Sequence, residues 1–556
     1  MSVKRDRPIF LVSYAGYPFS PTNFLPDNGL ANLAGALIEE GYRVKIFDYN
    51  LPQIIRRLYP HRFSKKIEPL LKRILEGGKV GLKEGWRLMR WEKILRAHWE
   101  REVERMAREF CGLLEKENPL FVGFKLWNGD GFKGSVTFAR TIKKYLPHLP
   151  VLGGGPHVDI FREYILKFYP YFDILVYGEG EKTIVKLADF FSGKGRLLDI
   201  PNLIFKEGNQ LITTAVEWIK DLDDLPFPVY DPEIYPVMEG NCQKIKMFVI
   251  DESRGCNNSC HFCIHPVKSG RLRLKSPERI VEEIKRLKEK FGTKIFRYAG
   301  SSTPTKVLRN IAEAIIRNNL NIEYTTFGHV RGGNSEDFKK LKESGCYAIF
   351  FGIESGSQKI LDHTMNKRVS VEKIKYSLKS AKDAGIFVAG SLIYPTPMDD
   401  EETMKETLEL LEEVRPHSTP VQFPLLTPQT TWGKNPEKFG FKLTCSYEKF
   451  LKIGLEYKVK FLFPPQFWVP FPYLIGGKPF KVYMKDLAEF ENEIEKLNIL
   501  TTISDEMALL AKYSGLSPRE YRDTYRDLAL LGRSEEIEEK FVRKVNENLS
   551  RDEKRR

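Results

Sequence analysis

Cysteine is scarce in this chain: seven residues of 556, an odd number, which excludes a disulfide framework and points to a reducing compartment. The first residues, MSVKRDRPIFLVSYAG, lack the apolar core and cleavage site of a signal peptide. No apolar run is long enough to cross a membrane. The greasiest stretch, FLFPPQFWVPFPYLIG at 461–476, is broken by Pro464, Pro465, Pro470 and Pro472, which excludes a spanning helix. A cytoplasmic protein without a transmembrane segment is expected. Arginines are not interleaved with aromatics, so no strong nucleic-acid signal is present. Two nucleotide motifs are also missing. No G-x-G-x-x-G follows the first strand, and GEGEKT (178–183) lacks the Gly-to-Gly-Lys spacing of a phosphate loop.

What remains is a basic chain, formally +14, with 42% hydrophobic and 29% charged residues, enough for several globular domains. Strand-like runs PIFLVSY (8–14), RVKIFDY (43–49), PLFVGFKLW (119–127), PVLGGG (150–155) and FDILVYG (172–178) alternate with helical segments. They predict an α/β unit over 1–200 with a doubly wound parallel sheet. The charged stretch at about 51–118 reads as a helical insertion. A proline-bearing connector, DLDDLPFPVYDPEIYP, falls within 201–240. Six further strand–helix repeats over 241–430 predict a partial (βα)6 barrel with its chemistry on loops at the strand ends. A mostly helical C-terminal region is expected over 431–556.

The loop after the first barrel strand, SRGCNNSCHFC, holds Cys256, Cys260 and Cys263 in C-x3-C-x2-C spacing. Three thiolates on one loop can hold three irons of a 4Fe-4S cluster and leave the fourth open to a chelating small molecule. The other reading is zinc, with His261 or His265 as fourth ligand. Cys111, Cys242, Cys346 and Cys445 are scattered and read as small hydrophobes.

C-x3-C-x-aromatic-C in this position resembles the signature of the radical S-adenosylmethionine enzymes. The resemblance implies that the cluster cleaves S-adenosylmethionine to methionine and a 5′-deoxyadenosyl radical. It implies that Phe262 lies beside the adenine. YAGSS (298–302) stands where the family carries a Gly-Gly-Glu turn: Gly300 is kept and the glutamate is absent, so backbone groups near Gly300 and Ser301 would hold the methionine end. FGIESGSQKILDHTMNK (351–367) resembles the fourth-strand segment and assigns Glu354 to the cofactor. GSLIYPTPMDDEET (390–403) resembles the fifth, with Ser391 and Tyr394 near the adenine.

The N-terminal unit is similar to the cobalamin-binding domain attached to many of these enzymes. The likeness rests on NFLPDNGLANLAGALIEEGYRVKIFDYN, VGFKL, VLGGGPHV, VYGEGEKT and IKDLDDLPFPVYDP. It implies cobalamin contacts at Leu126, Gly153, Gly154 and Gly155. The D-x-H-x-x-G motif that ligates cobalt in many such domains is missing, because the segment after the first strand reads AGYPFSPTNF. Either cobalamin binds without a histidine or the domain no longer binds it; binding is the expectation taken forward.

The resemblance therefore implies a methyltransferase acting on an unactivated carbon of a small or apolar substrate. An external electron donor such as ferredoxin or flavodoxin would serve it. Ring closure, rearrangement or sulfur insertion by a non-methylating relative is the alternative, and a noncatalytic iron–sulfur or zinc protein is another. His157 reads as a packing residue. Tyr298 and Tyr394 read as core tyrosines or as donors of a proton or hydrogen atom, and the 461–476 stretch as an apolar wall, a membrane contact or a plug.

Overall fold

The computed structural model describes residues 6–13, 20–76, 78, 80–127, 129–301, 303–457 and 468–554. Residues 14–19, where the histidine motif was sought, and 461–467 of the aromatic–proline stretch lie outside them.

Ile9–Ser13 (β1) is buried at every position, as a strand covered on both faces must be. Val44–Asp48 (β2), Val122–Lys125 (β3), Val151–Gly154 (β4) and Ile174–Val176 (β5) run parallel to it in the order β2-β1-β3-β4-β5. The order reverses between β1 and β3, and a crevice opens beyond the strand ends at such a switch point. The sheet continues past the expected five strands. Leu203–Glu207 (β6) and Gln210–Thr213 (β7) form an antiparallel hairpin on β5, so the sheet is mixed and seven-stranded rather than purely parallel. One face is covered by the second half of helix Leu82–Glu117, through Trp99, Val103, Met106, Phe110 and Leu114.

Met247–Ile250 (β8) opens the second unit. A short antiparallel pair, Ser253–Arg254 (β9) and Arg273–Leu274 (β10), brackets the cysteine loop. Then come Ile295–Tyr298 (β11), Glu323–Gly328 (β12), Cys346–Glu354 (β13), Phe387–Ile393 (β14) and Val421–Gln422 (β15). With β8 these make six parallel strands, adjacent in chain order, as a partial barrel requires.

Helices Phe480–Lys496, Asp505–Ser514, Pro518–Leu530 and Lys544–Lys554 form most of the C-terminal region. Asp505–Ser514 packs on β12, β13 and β14. The Asn546 amide donates to the carbonyls of Asn241 (3.0 Å) and Lys244 (2.8 Å), and its oxygen accepts from the Lys246 N–H at 2.8 Å. In the described part of the aromatic–proline stretch, Phe471 stacks on Tyr457 at 4.0 Å and on Phe423 at 4.5 Å. These rings are a packed plug.

The two α/β units are held face to face by the connector and by polar contacts. Phe227 of the connector presses its carbonyl onto helix Asn28–Glu39 where Gly35 has no side chain, and the Val229 N–H donates to the Ala31 carbonyl at 3.0 Å. Asn28 and Asn32 of that helix donate to Asp251, just beyond β8, at 3.0 and 3.1 Å. Arg254 reaches Asp251 (2.8 Å), Glu181 (2.7 Å) and Glu179 (3.4 Å), tying the cysteine loop's first residues to the N-terminal sheet.

Candidate active site

The cysteine loop starts with Gly255 at φ +82°, a left-handed conformation that suits glycine, and a Cβ there would overlap the Arg271 carbonyl. The Cys256 N–H donates to Gly270 at 3.1 Å and the Cys263 N–H to Cys260 at 3.2 Å, curling the loop. The Asn258 N–H and side-chain amide lie 3.4 and 3.5 Å from Cys256 Sγ. The Asn258 oxygen accepts from Arg331 at 2.6 Å. From the other side the His261 N–H donates to Met365 (3.0 Å), Asn366 to the Ser259 carbonyl (2.9 Å), and the Trp432 N–H to His261 (3.0 Å). The loop is thus fixed by the segment after β13 and by the C-terminal region.

All three cysteines are free and half-buried. Burial raises the Cys260 thiol and pushes Cys263 up to about 12. Unassisted, such thiols stay protonated, so they are poor nucleophiles whose ionisation needs a bound cation. A single zinc ion needs its ligands gathered round one point, and among the described residues no three of His, Cys, Asp and Glu are so gathered. His261 is engaged with the Thr364 carbonyl at 3.2 Å. Three thiols spread round one loop fit a cluster with several irons better than one ion.

Gly300 and Ser301 follow β11 beside this loop, and the Ser301 hydroxyl donates to the Gly255 carbonyl at 3.4 Å. Beneath them lies Glu252, fully buried, its pKa raised to about 7 by burial. It accepts from the Gly300 N–H at 2.9 and 3.1 Å and from Thr303 Oγ1 at 2.7 Å. A side chain at position 300 would overlap this carboxylate. The turn that lacks the family's glutamate is therefore supported by a glutamate from the neighbouring strand end.

Glu354 ends β13 at φ +64°, an unusual conformation for a glutamate, where the register with β14 shifts. Its carboxylate pairs with Lys367 at 2.7 Å, both side chains nearly buried. Burial opposes the Lys367 charge, but Glu354 holds its pKa above the ordinary value. Lys367 also lies 6.0 Å from the Phe262 ring, which packs on Trp432 at 5.7 Å. Ser391 is buried in β14 opposite Gly352. Tyr394 packs on Phe490 at 4.2 Å, with its hydroxyl 3.7 Å from Met404 Sδ. Tyr298 is fully buried and stacked on Tyr324 at 4.6 Å. His157 is buried among Phe132 and Phe161, as a packing residue is.

A cavity of about 360 Å³ joins the two units. Its floor is apolar, formed by Leu11, Leu30, Leu33, Leu152, Val176 and Ile184. Its lining also carries the polar side chains of Asp159, Lys268 and Arg254, and it reaches Gly255, His265 and Ser301 of the cysteine side. Burial raises Asp159 to about 6 and lowers Lys268, so both charges are held out of water.

The three glycines of β4 and its exit differ in role. Side chains alternate faces along a strand, so Gly154 shares the cavity face with Leu152. A Cβ at Gly154 would find only ordinary contact, 3.6 Å from the Val176 carbonyl. Gly153 lines the cavity with its backbone, and a Cβ there would point the other way and crowd Leu126 and Leu175 at 2.8 and 2.9 Å. Gly155 has φ +97° and makes the turn. Leu126 is buried against Gly153 on the face away from the cavity, so its side chain supports the strand rather than lining the crevice. Gly123 of β3, which sequence reasoning passed over, does line the cavity.

Glu252, Lys367, Lys268 and Gly123 had no signal of their own in the sequence. Only the acidic pair Asp251–Glu252, immediately before the cysteine loop, could have drawn attention to one of them.

Residues 252–411 match the family model described as the Radical SAM superfamily. Over these residues the chain carries a radical S-adenosylmethionine domain. Over almost its whole length it has the fold of the radical S-adenosylmethionine methyltransferase TsrM from Kitasatospora setae, solved with cobalamin and a [4Fe-4S] cluster. The TM-score is 0.64 at 14% identity, covering 96% of this chain and 99% of that one. The cobalamin-dependent S-adenosylmethionine radical enzyme OxsB, with aqua-cobalamin and S-adenosylmethionine bound, matches with a TM-score of 0.55 at 14% identity. That match covers 94% of this chain and 72% of OxsB. In sequence, an uncharacterized methyltransferase of Pyrococcus horikoshii is 28% identical over 358 residues, 63% of this chain and 77% of that protein.

Proposed function

We propose that this protein is a cobalamin-dependent radical S-adenosylmethionine methyltransferase acting on an unactivated carbon. The observation that carries the reading is the cavity running from the glycine-lined ends of β3 and β4 to the cysteine loop, one chamber built by both units. Cys256, Cys260 and Cys263 would hold the 4Fe-4S cluster. Gly300, Ser301, Glu354, Phe262, Ser391 and Tyr394 would surround S-adenosylmethionine. When bound, these groups supply a 5′-deoxyadenosyl radical for hydrogen abstraction and a cobalt-borne methyl for transfer.

The chain's own residues bind and orient. Glu252 holds the Gly300 N–H and so fixes the turn at 300–301, whose backbone groups would hold the methionine end. The Glu354–Lys367 pair fixes the end of β13 beside Phe262. The cavity's volume, at the low end for a small-molecule site, fits the nucleotide tail of cobalamin, with the corrin at its mouth. Gly123, Gly153, Gly154 and Gly155 would form its walls, with Leu126 as a support behind them.

The substrate would be a small molecule taken at the chamber between the two units. Reduction would come from a ferredoxin- or flavodoxin-like donor, and few, unpaired cysteines support a cytoplasmic setting.

The test is anaerobic reconstitution with iron, sulfide and cobalamin, metal analysis, and assay of 5′-deoxyadenosine under strong reductant. About four irons, bound cobalt and nucleoside formation lost on Cys260→Ala are expected. Iron and nucleoside without cobalt would retain radical chemistry and remove methyl transfer, and zinc without nucleoside would overturn both.

A further inference from the structure

The first half of helix Leu82–Glu117 extends beyond the sheet that its second half covers. Its inner side is accounted for: Leu88 and Trp91 pack on Ile67, Leu71 and Leu531. Its outer side is not. Leu82, Trp86 and Met89 are 89%, 70% and 55% exposed. Spaced i, i+4, i+7, they form one stripe on the helix, and Lys93 continues it. Ile94, 45% exposed, stands on the shoulder beside it.

The same turns are basic. Across 83–96 there are five basic residues, Lys83, Arg87, Arg90, Lys93 and Arg96, against two acidic ones, Glu84 and Glu92. Both acids are already engaged, Glu84 with Arg73 and Glu92 with Arg96. At 100° per residue Lys83, Arg87 and Arg90 fall along one shoulder of the apolar stripe; on the other, Arg96 is paired with Glu92. A stripe of Trp, Leu and Met continued by Lys93 and flanked by a cationic shoulder suits a surface that is apolar just below a layer of negative charge.

We propose that this helix docks the enzyme, lying flat, on an anionic lipid surface. Trp86, Leu82 and Met89 enter the headgroup boundary, and Lys93 and the basic shoulder of Lys83, Arg87 and Arg90 meet lipid phosphates. The attachment is peripheral, since no described helix is long and apolar enough to cross a membrane. Charge argues against a second copy of this chain as the occupant. A parallel two-fold contact through the stripe brings Lys93 against its own copy, and an antiparallel one brings the basic shoulders together. The proposal stands apart from the reaction assigned above, and no residue of this helix belongs to the cavity or the cysteine loop.

The test is co-sedimentation of the full reconstituted chain with vesicles of equal parts phosphatidylglycerol and phosphatidylcholine, against pure phosphatidylcholine. Binding to the anionic vesicles, at least about tenfold weaker on the neutral ones and in 0.5 M salt, is expected from the charge term. Leu82→Ser/Trp86→Ser/Met89→Ser and, separately, Lys83→Glu/Arg90→Glu/Lys93→Glu should each weaken it by about tenfold or more. The replaced residues are exposed, so both variants keep their melting temperature and iron content. Absence of sedimentation with anionic vesicles, or binding unchanged in both variants, overturns the proposal. A dimer in light scattering that the serine variant converts to monomer would assign the stripe to a second copy and overturn it as well.

Discussion

The Glu252 carboxylate lies directly under Gly300 and takes its N–H at 2.9 Å, from the end of one barrel strand to the turn after the next. Its raised pKa, about 7 against an ordinary 4.5, is a consequence of burial that three hydrogen-bond contacts only partly offset. The folded state therefore holds the proton more tightly than the unfolded chain. The resulting stabilisation is complete below pH 4.5 and is lost as pH rises through 7. Melting temperatures of wild type and Glu252→Gln between pH 5 and 8 should diverge, wild type losing up to on the order of 3 kcal/mol relative to the variant. A constant difference across that range would refute the assignment.

Glu354 and Lys367 form a buried pair, and removal of one partner strands the other. Lys367→Met should cost about 3–5 kcal/mol in denaturant unfolding. The double variant Glu354→Gln/Lys367→Met should recover part of that loss. If the double variant loses the sum of the two single effects, the pair is not coupled.

Gly255 combines φ +82° with a carbonyl where a Cβ would stand. Gly255→Ala should lower stability by at least about 2 kcal/mol and sharply reduce iron uptake on reconstitution. Gly477→Ala is the control: φ is +79° but the space is open, so a cost of about 1 kcal/mol with iron unchanged is expected.

Gly123 shares a cavity face with Leu11, 3.4 Å from where its Cβ would lie. Gly123→Val should cut cobalamin retention by about tenfold or more through occupied volume while leaving iron content intact. Equal retention of cobalamin by the variant would move the tail site elsewhere.

The strands were legible because buried parallel strands are written as unbroken apolar runs; IFLVS in β1 has no exposed position. The β6–β7 hairpin was not, because QLIT is largely exposed and its Gly208 turn looks like any connector. The cysteine loop announced itself through spacing. Glu252 and Lys367 could not, since each acts on a residue distant in sequence: Glu252 lies 48 positions from Gly300, Lys367 13 from Glu354. Glycine identity in VLGGG was visible, but not the alternation by which a Cβ would meet packed leucines at Gly153 and open cavity at Gly154.

The three hydrogen bonds of Asn546 to the entrance of β8 have a consequence for synthesis. The first barrel strand emerges from the ribosome some 300 residues before the side chain that fastens its beginning. Contacts so far apart in sequence are slow to form. The barrel's lower end stays unlatched until residue 546 has been made, and a nascent chain stalled before helix Lys544–Lys554 would carry the cysteine loop on an unfinished support.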